Sequence, residues 1–239
     1  MNTVKIEKRG ARMVSHAGLA GLEAINSIAG YVAAGNRSYY GIETDIRRTL
    51  DGRFVAFHDK TLEARAGLEA TVEASTFEEL SSLVLTDRSG TRSRRDTVIP
   101  TLEDYINICK WYEKHAVLEL SGPYEREWIR EIIAAVERLG YLENTTFISF
   151  YYDNLRYVRE FLPEQSVQFI FSDTSDANID RLIRDKIDAD IRFSCVTKEV
   201  VKKLKGAGRI VNCYTVDNKE TAEELVALGV DFITTNILE

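Results

Sequence analysis

The chain has 239 residues, 44% of them hydrophobic, enough for one α/β barrel or two small domains with a sizeable core. Its net charge of −7 argues against a nucleic-acid partner, which would require a clustered basic face. No run approaches the ~18 apolar residues of a membrane span, and the first ten residues lack the apolar centre of an export signal.

In chain order, short apolar runs rich in β-branched residues alternate with stretches of helical period. Strands are predicted at 13–17, 40–47, 116–121, 146–151, 167–172, 189–193, 209–216 and 230–235. Helices are predicted near 23–35, 101–114, 124–139, 152–161, 177–187, 197–207 and 218–229, with Leu102, Tyr105, Ile106 and Cys109 forming one apolar stripe. Eight parallel strands in a chain of this length predict an α/β fold of the (β/α)8, or TIM-barrel, type, as one domain over 1–239. An eighth helix is missing from the pattern. A doubly wound sheet is the alternative, but it usually opens on a glycine-rich phosphate turn, and His16-Ala-Gly-Leu-Ala-Gly matches one poorly.

The stretch from about 60 to 100 has no sustained period. It reads as an insertion above the barrel mouth, with a short helix within 76–83 and a polar loop holding Arg88, Arg92, Arg94 and Arg95. Cys109, Cys195 and Cys213 have no metal-ligand spacing and read as buried free thiols, which suits a reducing cytoplasm.

The segment 40–50 turns at Asp51-Gly52 and returns to His58, a strong hairpin signal. Residues two apart on a strand share a face, so Glu43 and Asp45 project together. With Asp51 and Gly52 as a two-residue loop, His58 is expected directly across from Asp45. Carboxylates supply hard oxygen ligands for Mg²⁺ or Ca²⁺, and an imidazole beside them can move protons near neutral pH.

Barrel enzymes carry their chemistry at the C-terminal ends of the strands. Collecting the polar residues predicted there adds His16 from the first strand and Glu119 from the third, the latter costly between leucines unless paired or metal-bound. His115 reads as a helix-terminal or surface histidine.

The motifs His16-Ala-Gly with Ala24-Ile-Asn-Ser27, and Gly41-Ile-Glu-Thr-Asp-Ile-Arg-Arg-Thr-Leu-Asp-Gly-Arg-Phe-Val-Ala-Phe-His-Asp59, resemble the signature of glycerophosphodiester phosphodiesterases. Ile99-Pro-Thr-Leu-Glu-Asp104, Ile148-Ser-Phe150, Tyr214-Thr-Val-Asp-Asn218 and Gly229-Val-Asp-Phe-Ile-Thr-Thr235 match that family's later blocks in order. The resemblance implies a barrel hydrolase using one divalent cation, Mg²⁺ or Ca²⁺, held by Glu43, Asp45 and Glu119. It also implies His16 and His58 as the acid/base pair, Asn26, Phe150 and Tyr214 at the substrate, and a small phosphodiester such as glycerophosphocholine cleaved to an alcohol and a glycerol phosphate.

The chain departs from the pattern at Ala17 and Ser121, where the family carries cations, and at Tyr214 and Asn236, where it carries Trp and Asp. Each lost charge-assisted phosphate contact is worth roughly 1.5–3 kcal/mol. Two other functions therefore compete: a lyase of lysophospholipase D type on lysolipids, with Phe150, Tyr151, Tyr152 and Tyr214 lining an apolar mouth, or a relative that binds a phosphate-bearing ligand without turnover. The loop arginines are the candidates to replace the missing charge.

Overall fold

A computed structural model describes residues 2–92 and 94–239. Eight parallel strands close on themselves in the order β1 (Arg12–Ser15), β9 (Phe232–Thr235), β8 (Val211–Tyr214), β7 (Asp188–Arg192), β6 (Val167–Phe171), β5 (Thr145–Ser149), β4 (His115–Leu120) and β2 (Gly41–Arg48), with β2 pairing back to β1. This is the α/β barrel that the alternation predicts.

The covering helices form where apolar residues recur with helical spacing and a capping side chain is available. Ser27 caps α1 (Ile28–Gly35), a reciprocal Thr101/Asp104 capping box opens α4 (Leu102–Trp111), and Thr197 and Asn218 cap α8 (Lys198–Gly206) and α9 (Lys219–Leu228). On α5 (Arg126–Arg138), Ile129, Ile132, Ile133 and Val136 are buried while the opposite face is charged. With α6 (Tyr152–Phe161) and α7 (Asp176–Asp185), these helices and the outward strand residues Ile42, Leu118, Phe147 and Ile191 make the main core.

Inside the barrel, strand tilt stacks side chains in layers of four drawn from alternate strands. The pairing register puts Val14, Val117, Gln168 and Asn212 in one layer, Glu43, Ile148, Asp190 and Thr234 above it, and His16, Glu119, Ile170 and Tyr214 above that. The upper two layers are polar on the β1–β2–β4 side and largely apolar opposite.

The hairpin forms, but its register differs by one residue from the two-residue-loop expectation. Ile46 pairs with Ala56 and Arg48 with Phe54 of β3 (Phe54–Ala56), the Phe57 amide donates to the Asp45 carbonyl, and the Thr49 amide donates to Arg53 across a three-residue loop. Gly52 at φ +82 closes that loop, a conformation that favours glycine. His58 thus lies past the strand instead of opposite Asp45. It still reaches the mouth, because Arg47 donates from Nε to the Phe57 carbonyl (2.9 Å) and from Nη2 to the His58 carbonyl (3.0 Å).

The insertion carries α2 (Glu63–Ala66) and α3 (Phe77–Ser81) over a small core of its own, including Phe57, Leu62, Val72, Leu80 and Ile99. The first helix is shorter than predicted: residues 17–26 form turns, from which the Ala17 amide and the Asn26 side chain reach Glu43 and Asp45. No helix follows β9 among the described residues, and Val4 and Ile6 exchange backbone hydrogen bonds with Ile237 and Glu239 there.

A Cβ at Gly52 would meet the Arg48 guanidinium at 2.8 Å as well as force a left-handed alanine. Gly52→Ala is expected to destabilise the fold by about 1–2 kcal/mol, seen as a lowered urea midpoint with unchanged slope.

Candidate active site

Because β2 alternates, Glu43 and Asp45 both point into the barrel, and the β2–β4 register sets Glu119 beside Asp45. One carboxylate oxygen from each of the three lies within 4.8 Å of the others. Glu43 and Asp45 are only 2% and 4% exposed. Burial first, then the neighbouring carboxylates, raise the pKa of Glu43 and Glu119 well above the ordinary range.

The groups around the triad are neutral donors. The Ala17 amide donates to Glu43 Oε2 (2.6 Å), Asn26 Nδ2 to Asp45 Oδ2 (2.9 Å), and Ser121 Oγ to Glu119 Oε1 (3.1 Å) and Asp45 Oδ1 (3.3 Å). Among the described residues no lysine or arginine is hydrogen-bonded or ion-paired to these three carboxylates. Three convergent hard oxygens with uncompensated charge fit a divalent cation.

The two histidines meet at the same mouth, ring centroids 6.1 Å apart and nearly perpendicular at 83°. His16 Nδ1 lies 2.8 Å from Asn236 Oδ1, while Asn236 Nδ2 donates to Asp217 (2.7 Å). A carboxylate only accepts, so the amide orientation is fixed and Nδ1 of His16 carries a proton, which leaves Nε2 as the lone-pair nitrogen of the neutral imidazole. His58 Nδ1 faces the Asp59 carboxylate at 2.9 Å, a contact that becomes an ion pair when His58 is protonated.

The cavity between these groups holds about 200 Å³ and is completed by Ile148, Phe150, Ile170, Asp190, Tyr214, Thr215 and Thr234. Phe150 is 52% exposed at the rim, edge-on to Tyr214 at 6.0 Å. Asn26, expected at the substrate, lies behind the wall instead, 3% exposed, with its carbonyl accepting from Tyr31 and Thr44. Ala17 is fully buried in a left-handed turn at φ +46 and does not line the cavity.

The insertion arginines do not line the cavity. Arg94 is paired with Glu23 (2.7 Å) and Asp96 (2.8 Å). His115 is neither helix-terminal nor freely exposed: it opens β4 at the opposite end of the barrel, stacked on Tyr40 and bonded to Thr146 (2.8 Å), and burial with the nearby Arg12 lowers its pKa to about 4. Cys195 is half-buried, unlike the buried Cys109 and Cys213.

Sequence reasoning missed Asn236 and Asp217 as a support for His16, and Asp190. The first pair could be suspected only from polar residues ending two late strands. Asp190 carried a signal, an acid between the apolar Ala189 and Ile191 at an inward position of its strand.

The family model described as the Glycerophosphoryl diester phosphodiesterase family matches residues 16–239. The chain belongs to this family. It is a family of phosphoric diester hydrolases. The chain is 26% identical to a glycerophosphodiester phosphodiesterase of Caldanaerobacter subterraneus over 88% of each chain, and 23% identical to one of Bacillus altitudinis over 94% of each. Among solved structures, an Oleispira antarctica phosphodiesterase in complex with the product sn-glycerol-3-phosphate superposes with a TM-score of 0.84 at 25% identity, covering 94% of this chain and 92% of that one.

Buried acids with raised pKa bind more protons folded than unfolded, so stability falls as pH rises from the ordinary carboxylate range towards the raised values. Asp190, pushed by burial to about 8, extends that window. Chelated protein is expected to melt at lower temperature at about pH 8 than at about pH 5.5. Adding Mg²⁺ or Ca²⁺ should raise the melting temperature more at the higher pH, where protons no longer compete for the carboxylates.

Proposed function

We propose that the protein is a metal-dependent glycerophosphodiester phosphodiesterase that releases an alcohol and a glycerol phosphate by paired histidine acid/base catalysis. The observation that carries this reading is the convergence of an uncompensated carboxylate triad with two oriented imidazoles in one small cavity.

Glu43, Asp45 and Glu119 would hold the cation. When bound, Mg²⁺ or Ca²⁺ supplies positive charge for a non-bridging phosphoryl oxygen as negative charge develops there. His16, with Nδ1 protonated towards Asn236, offers the Nε2 lone pair as general base to the attacking hydroxyl, from water or from the glyceryl arm itself. The attacking oxygen bonds to phosphorus as the ester oxygen departs, and His58 donates a proton to that departing oxygen. Attack by water gives glycerol phosphate directly, whereas attack by the glyceryl hydroxyl gives a cyclic phosphate that water then opens to glycerol phosphate. Asp59 stabilises the imidazolium before the transfer. Asn26 positions Asp45, and Phe150 and Tyr214 form the wall against which the alcohol portion lies.

The free cysteines support a reducing, cytoplasmic setting. No helix among the described residues is long and apolar enough to cross a membrane. A second reading, cleavage of lysolipids, is favoured by one observation: Phe150, Tyr151 and Phe193 stand 52%, 43% and 37% exposed at the C-terminal ends of β5 and β7. Side-by-side assay of glycerophosphocholine and lysophosphatidylcholine separates the two, the first reading requiring faster turnover of the water-soluble diester.

His16→Ala is expected to abolish alcohol release from glycerophosphocholine, and thorough chelation to do the same reversibly; full activity in either case refutes the mechanism. Asn236→Leu is expected to lower kcat by roughly tenfold or more with a smaller change in KM, because it frees the imidazole tautomer without touching the cup. Asn26→Leu should instead weaken cation affinity by about 10–100-fold, measured by titration calorimetry.

A further inference from the structure

The layer that holds Glu43 contains a fourth acid that the reaction outlined above does not use. Asp190 is on β7, four strands round from β2, and so faces Glu43 across the barrel. It lines the floor of the cavity, below Tyr214 and among Ile148, Ile170 and Thr234. It is 2% exposed, and its Oδ1 is buried without a hydrogen-bond partner among the described residues.

Interior layers of such barrels are usually filled by bulky apolar side chains. An unpartnered buried carboxyl there costs free energy where an apolar side chain would gain it, unless something outside the chain completes it. The neighbours do not: Asn212, its register partner on β8, donates from Nδ2 to Thr234 (3.0 Å) and Gln168 (3.4 Å).

We infer that Asp190 is a specificity-determining residue that hydrogen-bonds a hydroxyl of the glyceryl arm at the floor of the cavity. The inference rests on the phosphodiesterase reading and names the part of the substrate the floor recognises. Geometry sets the division of labour: with the phosphoryl group between the triad and the histidines on one wall, the polyol arm is the polar part of the substrate able to extend to the opposite wall. The cavity of about 200 Å³ suits a small polyol. The charge of the site selects a hydroxyl over an ammonium, since burial holds Asp190 near pKa 8 and therefore mostly neutral at pH 7, able both to donate to and accept from an alcohol.

The test compares kcat/KM of the full chain with Mg²⁺ or Ca²⁺ on glycerophosphocholine and on its two monodeoxy analogues, one lacking the middle and one the terminal hydroxyl. Wild type is expected to prefer glycerophosphocholine over at least one analogue by about tenfold or more, as for a site built to pair a substrate hydroxyl. Asp190→Leu and Asp190→Ala are each expected to bring that ratio close to one, and either variant that folds decides the question. A wild type without preference, or variants that lose activity equally on all three diesters and keep the ratio, overturn the inference and leave Asp190 as a structural acid satisfied by buried water. If wild type cleaves none of them, the phosphodiesterase reading fails by itself. Calorimetry then decides for Asp190. Tighter binding of sn-glycerol 3-phosphate than of propyl phosphate in wild type but not in the variants supports it, and equal affinities overturn it.

Discussion

Three carboxylates forced together in a low-dielectric barrel mouth are the constraint around which the rest of this structure is arranged. Each would be costly alone, and together they repel. The surroundings answer with neutral donors: a strained turn aims the Ala17 amide at Glu43, a buried asparagine locks Asp45, and Ser121 bridges the remaining pair. Arg47, whose charge acts on Glu119, spends its hydrogen bonds on two carbonyls and Glu73. The cluster is thus oriented but left short of positive charge, the condition a divalent ion relieves.

The mouth is divided. Strands β1, β2 and β4 with the hairpin bring the clustered carboxylates and both imidazoles, while β5 to β8 present Ile148, Phe150, Ile170 and Tyr214. A phosphodiester has the same division between its phosphoryl centre and its alcohol portion. Asp190 interrupts the apolar half at its floor, which makes it the polar feature of that wall most in need of a partner.

Much of this was legible in the sequence because it depends on short-range periodicity. The two-residue spacing of Glu43 and Asp45, the eightfold alternation of strands and helices, and the stripe on α4 are all local. The hairpin register was not, since the choice between two- and three-residue loops at Leu50-Asp51-Gly52 turns on hydrogen bonds at Thr49 that no pattern encodes. His58 arrived at the mouth by a different route from the one its spacing suggested. The Asn236–Asp217 support was hidden because it joins residues nineteen apart through side chains, and Asn26 because a buried amide and a substrate-facing one look alike in a motif.

The tether from Arg47 has a further consequence. His58 is carried by a segment with a small core of its own, and it is joined to β2 through the Arg47 guanidinium, the Phe57 amide on the Asp45 carbonyl and a three-residue pairing with β3. Segments with few buried contacts to the main core open first. Loosening the insertion would remove His58, the proton donor of the proposed reaction, while the carboxylates, anchored in β2 and β4, stay assembled. On the proposed reaction, ion capture and turnover would be separable states of one molecule, and a partly opened population would keep a bound ion while remaining silent in an activity assay.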